Sequence, residues 1–334
     1  MNRRAQQALG FAAAIAALGL LGLTLDGYAL RLLTLALLNI ITVVGLNFAF
    51  GYCGVIHLGQ AAFVGIGAYF TALLTTKLGW PMALTMPAGV IAAGLFALVV
   101  SAPLVRLKGH YLALATVGVN VILELVARNW VEVTNGFNGV TGIPRLADAV
   151  FPPAPERAFL AIAGATALVA VWLALRVRDS HLGRAMIAVR DDETAAATCG
   201  IDATRTKVIA FALSAVFGGV SGVLFAHYTG FVSPTDFAVA QSILVLVMLV
   251  IGGEGRIMGA VVGALALTFL PEILRDLQAA YVGAGGSERD LLARLLKDGY
   301  LAVYGLITLA VLMLLPRGLA GLGARLRKTS ADRL

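Results

Sequence analysis

Residues 181–229 read HLGRAMIAVRDDETAAATCGIDATRTKVIAFALSAVFGGVSGVLFAHYT. A charged segment with the signature of a short helix runs directly into a long apolar helix. Asp191 and Asp192 suit the N-cap and first turn of the short helix, where a carboxylate meets free backbone N–H groups and the positive end of the helix dipole. Thr194 to Thr198 follow as a compact small-residue turn, and Gly200 suits the left-handed position just past a helix end. From Lys207 to Thr229 the chain is long and apolar enough to cross a hydrocarbon core of ~30 Å. Two readings of the short helix stand side by side. Its methyl-rich face can sit flush in a groove of a soluble partner, with Arg184, Arg190 and Glu193 setting orientation by charge. Alternatively it is an amphipathic loop helix that rests on the bilayer, aided by its basic residues.

The surroundings of this stretch are built the same way as its second half. Of 334 residues, 60% are hydrophobic and 13% charged, against about 25% charged in an ordinary soluble domain. The mean hydropathy is +0.91. Apolar runs predict about ten spans: 8–25, 31–50, 60–76, 83–105, 111–130, 158–176, 207–229, 238–252, 256–274 and 299–315. The third and eighth are short and interrupted by glycine, which suits re-entrant or broken helices. The expected fold is all-α, a polytopic transmembrane helical bundle forming one domain over residues 1–334. The N-terminal stretch, Arg3 and Arg4 followed by Phe11 to Leu25, reads as an uncleaved first span.

Charge reports orientation. Most of the 25 Lys and Arg residues fall into the two termini and the even-numbered connections, so both termini and the 177–206 loop are expected on the cytoplasmic side. The loops at 131–157 and 275–298 mix both signs and are expected outside. The net charge of +7 then needs no nucleic acid to explain it. Cys53 and Cys199 have no metal-ligand spacing and are expected to stay free. No G-x-x-x-x-G-K-[ST] occurs, so no ATPase is fused to this chain. Each half holds a short Gly-rich span, 51–76 and 238–263, flanked by longer ones. Such pairing is found in repeat-built transporters near the pathway.

Polar side chains inside the spans are costly in lipid and therefore informative. They are Asn39, Asn47, His57, Gln60, Thr116, Asn120, Glu124 and Gln241. Asn120, Glu124 and Arg128 share a helix face, so Glu124 either pairs with Arg128 at i,i+4 or lines a solute path. His57 and Gln60 flank Leu58-Gly59 at an expected helix break. Gly218 and Gly222 share one helix face, as do Gly255, Gly259 and Gly263, and small faces let helices pack closely.

The residues from Arg184 through Arg190, Glu193, Ala196, Gly200, Lys207, Phe211, Ser214, Gly218, Gly219 and Gly222 resemble the permease subunits of ATP-binding-cassette importers for branched-chain amino acids, in particular the M-type permease. Three further segments carry the resemblance in the same order: GLNFAFGYCGVIHLGQAAFVGIGAYFTALL at 45–74, TNGFNGVTGIP at 134–144 and IGGEGRIMGAVVGA at 251–264. In such importers a cytoplasmic loop docks into the ATPase. Glycine usually follows the loop's Glu by six residues, whereas here Glu193 to Gly200 is seven. Family members often read Ser-Leu-Gly-His where this chain has His57-Leu58-Gly59-Gln60. They often carry Glu three residues before Arg in the fifth span, where this chain has Val121 and Glu124.

The resemblance implies a bacterial inner-membrane permease. It forms half of the translocation pathway for branched-chain or other hydrophobic amino acids and is not itself an enzyme. It implies an H-type permease as second subunit, two ATP-binding-cassette ATPases that hold ATP and Mg, and a periplasmic substrate-binding protein. No cofactor is expected on this chain. The coupling loop would be Arg184, Arg190, Glu193, Ala196 and Gly200; the path would be Asn47, His57, Gln60, Thr116, Asn120 and Glu124. Permeases for urea, short amides or aromatic acids are the alternative within the family. A self-contained secondary transporter would need coupling-ion carboxylates, and only Glu124 qualifies. A membrane enzyme would need an H-E-x-x-H or an acid–base pair, and none is seen.

Overall fold

A computed structural model describes residues 3–25, 27–107 and 109–283, with a few isolated positions beyond. The chain is helical almost throughout. In order, the helices are α1 (Arg3–Thr24), α2 (Gly27–Asn47), α3 (Gln60–Thr76), α4 (Met82–Leu104), α5 (His110–Asn129), α6 (Val131–Thr134), α7 (Leu146–Val150), α8 (Pro155–Asp179), α9 (His181–Asp191), α10 (Glu193–Thr198), α11 (Ala203–Thr229), α12 (Val239–Gly252) and α13 (Ile257–Gly283). Two short strands, β1 (Val140–Thr141) and β2 (Phe231–Val232), pair antiparallel with Val140 opposite Val232.

Among the described residues, seven helices are long and apolar enough to cross a membrane, and two more, Gly10–Thr24 and Gln60–Thr76, are apolar but shorter. Nine of the ten expected spans are thus helical, and the tenth, 299–315, lies largely outside the described residues. The expected loop at 275–298 is corrected in its first part. α13 continues to Gly283, because apolar residues recur among the charged ones and no breaker intervenes after Pro271; the remainder of that loop is outside the described residues.

At the centre of the bundle stand α2, α3 and α11. Gly222 of α11 abuts the Val64 carbonyl of α3, with no room for a Cβ, and Gly218 faces Gln60 and Phe63. Gly67 of α3 meets the Gly219 backbone in return. The small-residue face therefore sets how close α11 and α3 lie. α2 runs antiparallel to α11, since Gly45 packs on Phe217 while Ser221 donates to the Leu38 carbonyl (3.0 Å). α12 and α13 form a tight hairpin in which Gly259 and Gly263 contact Gly252 and the Met248 carbonyl. Gly255 does not belong to that face. It sits in the α12–α13 turn at φ +71°, where a left-handed residue reverses the chain, so its expected helix-packing role is replaced by a turn role.

The bundle contains two irregular passages. α2 loosens into a π-helical turn at Phe48–Tyr52 and then leaves helix until Gln60. After α11, Gly230 at φ +70° turns the chain into β2 and a 3₁₀ turn at Pro234–Phe237 before α12 begins. Long helix, break and short helix thus occur twice, with the two units running in opposite directions. That is the arrangement of an inverted repeat, although its second break precedes the expected glycine-rich segment at 238–263, which holds α12 and its turn into α13.

Candidate coupling site and solute path

The loop between α8 and α11 folds into two helices rather than one. α9 is capped by Ser180, whose hydroxyl accepts from Gly183 N (3.4 Å). Asp191 is the last residue of α9, so the cap of α10 is Asp192 alone, which accepts from Thr194 N (2.8 Å) and Ala195 N (3.0 Å). Gly200 ends the turn at φ +80°. Asp202 then caps α11 through Arg205 N (2.9 Å). Every turn of this segment is fixed by a local side chain or a glycine, which is why its caps were readable from sequence.

The five residues expected in the loop point in different directions. Ala196 is buried against the chain's own core with Met186 and Val189. The residues of α10 that stay exposed are Glu193, Thr194, Ala195, Ala197 and Thr198. Glu193 is tied to Lys207 (2.6 Å). Arg184 is exposed and donates to the Asp179 carbonyl (3.0 Å). Arg190 turns inward: one guanidinium nitrogen donates to the Gly51 carbonyl and the other to Glu254 Oε1 (2.6 Å).

Of the expected path residues, four meet at the middle of the bundle or beside it. Thr116 Oγ1 accepts from Leu58 N (3.0 Å). Gln60 Nε2 donates to the Ser214 carbonyl (3.0 Å), and Ser214 Oγ donates back to Gln60 Oε1 (2.8 Å). Ser242 Oγ accepts from Ala61 N (2.8 Å) and donates to Asn120 Oδ1 (3.2 Å), while Asn120 Nδ2 donates to the Phe237 carbonyl (3.0 Å). Ser214 and Asn120 lie about 15 Å along their helices at 1.5 Å per residue, so the two breaks meet halfway through the bundle. His57 stacks against Phe211 (4.6 Å between ring centres), and its Nε2 has no partner. All four of these side chains are fully buried. Thr116 and Asn120 spend their bonding on backbone groups at the two breaks, since unpaired backbone inside a bilayer is costly, while Gln60 ties the start of α3 to Ser214 of α11.

Asn47 and Glu124 stand apart from that cluster. Asn47 is buried at the α9 end of the bundle, where its Oδ1 accepts from Gly255 N (2.9 Å). Glu124 forms the i,i+4 pair with Arg128 (2.6 Å) and borders, with Asn120 and Tyr69, a small and mainly apolar cavity of about 160 Å³.

A space of about 1310 Å³ among the described residues is lined by none of the six expected path residues. It is a groove walled by α2, α12 and α13, with Ala61 and Ser221 at its back. Asn39, Thr42 and Gln241 face it, and Asn39 Nδ2 donates to Thr268 Oγ1 (3.0 Å). At its rim Tyr28 Oη donates to Glu272 (2.8 Å), with Arg275 alongside (3.4 Å). Asp236, which closes a capping box with Ser233, also borders it. Asn39 and Gln241 were visible in the sequence as embedded polar residues. Glu272, Arg275 and Asp236 were not singled out: Glu272 and Arg275 lie along α13 at and beyond the end of the expected ninth span, and Asp236 lies in the turn before α12.

Comparison with known proteins places these features in a family. Residues 28–315 match the family described as the permease component of branched-chain amino acid transport systems. The chain is 33% identical over 269 residues to the high-affinity branched-chain amino acid transport system permease protein LivM of Salmonella typhimurium, and 34% identical to LivM of Escherichia coli. Each alignment covers 73% of this chain and 63% of the relative, so the chain spans a little under two thirds of those proteins. It is also 26% identical to LivH of Escherichia coli over 72% of this chain and 81% of that protein. No solved structure matches it. The matched region contains the capped helix pair, both breaks and the groove, and the chain belongs to the family of branched-chain amino acid transport permease components.

Proposed function

We propose that this chain is the M-type permease subunit of an ATP-binding-cassette importer in the bacterial inner membrane, and that it carries branched-chain or other hydrophobic amino acids. The observation that carries this reading is the α9–α10 pair. It is a rigid, fully capped polar knob, set directly before a central helix and bonded to a helix break. A self-contained transporter has no use for such a knob, whereas an ATPase-driven one needs a lever. Its exposed residues, Glu193, Thr194, Ala195, Ala197 and Thr198, are the surface offered to an ATPase. A second permease of the H type, two ATPases that hold ATP and Mg, and a periplasmic binding protein complete the assembly.

The groove between α2, α12 and α13 serves as this subunit's part of the path. Its volume exceeds the roughly 300–1,000 Å³ of fitted ligand pockets, which suits passage better than tight capture. Amides and hydroxyls on apolar walls suit a solute whose side chain is hydrocarbon. Gln60, Thr116 and Asn120 act one layer behind, holding the breaks whose ends border the groove.

The test is purification of the subunit from native membranes, identification of what accompanies it, and ATP-driven uptake of labelled leucine in proteoliposomes with the co-purified binding protein. Two P-loop ATPases, a second permease and leucine uptake are expected. Uptake of urea, short amides or aromatic acids in place of leucine would reassign the substrate. A chain that moves solute without ATPases would overturn the importer.

A further inference from the structure

We propose that Arg190 is the positioning residue through which the α9–α10 pair acts on the solute path, because it grips the break after α2 and the α12–α13 turn at once. This rests on the importer reading above. Three segments converge on its guanidinium. The first is the π-helical end of α2, where Val55 N bonds to the Ala49 carbonyl and the Gly51 carbonyl is taken by Arg190. The second is the α12–α13 turn, whose Glu254 accepts from Arg190 (2.6 Å). The third is α9 itself, anchored by buried Met186 and Val189.

Glycines shape the slot. A Cβ at Gly54 (φ +68°) would meet Arg190 Cγ at 3.0 Å, and one at Gly255 (φ +71°) would meet its Nη1 at 3.1 Å. A Cβ at Gly51 would strike Asn47 and Gly255 N. Asn47 adds a second strap between the end of α2 and the α12–α13 turn through Gly255 N (2.9 Å), and its Nδ2 is left without a partner.

Only a planar, multi-donor head group reaches a carbonyl and a carboxylate that lie in different directions. The ion pair is half open to solvent, with side-chain exposures of 35% and 42%, and such pairs contribute little to stability. Its value is therefore directional. When α9 shifts, Gly51 and Glu254 shift with it, and these carry the ends of α2, α12 and α13, the three walls of the groove.

The experiment uses the intact importer complex in proteoliposomes and compares Arg190→Ala and Arg190→Lys with wild type. ATPase content, ATP hydrolysis and leucine uptake are measured on the same preparations. Both variants are expected to keep ATPase content and hydrolysis within about twofold while solute moved per ATP falls about tenfold, inside the ~5–150-fold range of coupling between sites. Lysine fails with alanine because it cannot fork to two acceptors. Solute per ATP within about twofold of wild type in either variant would overturn the proposal, and so would uptake and hydrolysis falling in step with the amount of complex, which is the pattern of a merely structural residue. If Arg190→Ala yields no complex, Glu254→Gln removes the charge from one arm alone and is expected to lower solute per ATP by about threefold; an unchanged ratio there would overturn the proposal too. Wild-type preparations without ATPases or ATP-driven uptake would overturn the importer reading itself, and this inference with it.

Discussion

The two interruptions of the bundle are held by different kinds of bond. The break after α11 is fastened largely by backbone. β2 pairs with β1, Ile143 N donates to the Gly230 carbonyl (3.2 Å), and Ser233 with Asp236 closes a capping box. Asn120 then fixes the Phe237 carbonyl from a neighbouring helix. The break after α2 is fastened at its α9 end by side chains, chiefly Arg190 from α9 and, at the end of α2 itself, Asn47, which reaches the α12–α13 turn. Backbone pairing costs a full set of unsatisfied groups when it opens, whereas an exposed ion pair exchanges readily with water. One break is therefore a fixed part of the scaffold and the other is a place where force can enter.

That contrast breaks if the fixed break proves tolerant. Gly139 stands at φ +69°, and a Cβ there would strike the Val232 carbonyl. Gly139→Val is expected to cost about 3 kcal/mol or more, since left-handed strain and overpacking each contribute about 1–3 kcal/mol. The thermal unfolding midpoint of purified protein in detergent measures it, and a loss below about 1 kcal/mol would show that the β1–β2 bridge is loose. A somewhat smaller effect is expected from Asn120→Ala. It leaves the buried Phe237 carbonyl without its donor and Ser242 without its acceptor, for about 2–3 kcal/mol, read by the same melting curve. The least effect on stability belongs to the movable break. Glu254→Gln should stay within about 0.5 kcal/mol of wild type, although its transport per ATP drops. Equal destabilisation by Asn120→Ala and Glu254→Gln would erase the distinction.

Much of the fold was legible because membrane helices announce themselves by length and hydropathy. The third span, expected at 60–76, is α3 at Gln60–Thr76, since Gly59 and Lys77 bound it locally. The caps Asp192 and Gly200 were legible for the same reason: a cap bonds to its own neighbours. Glu124 with Arg128 was legible as one of two readings, and the ion pair forms. The directions of the other site residues were hidden. Ala196 looked like a partner surface and faces inward, Asn47 looked like a path residue and joins the α12–α13 turn, and Arg190 looked like an orienting surface charge and reaches Gly51. In lipid the outside of a helix is as apolar as its packed side, so the hydrophobic periodicity that identifies the core face of a soluble helix is missing. Fully buried, hydrogen-bonded residues such as Gln60 and Asn120 therefore carry the same sequence signature as residues that line a cavity.

Composition and local pattern by themselves determined an all-helical membrane protein, the positions of nine helical spans, the break at His57–Gln60 and the capped helix before α11. Each of these depends on residues within a turn or two of one another, or on the number of consecutive apolar residues. Tertiary structure alone decided which polar residues meet. It brought Gln60 to Ser214, Asn120 to Phe237 and Arg190 to both Gly51 and Glu254, across separations of more than sixty residues in every case. It also decided that the groove opens between α2, α12 and α13 rather than beside Glu124. Those outcomes follow from how closely glycine faces let α3 and α11, and α12 and α13, approach. That distance is a property of two packed surfaces, so neither segment carries it alone.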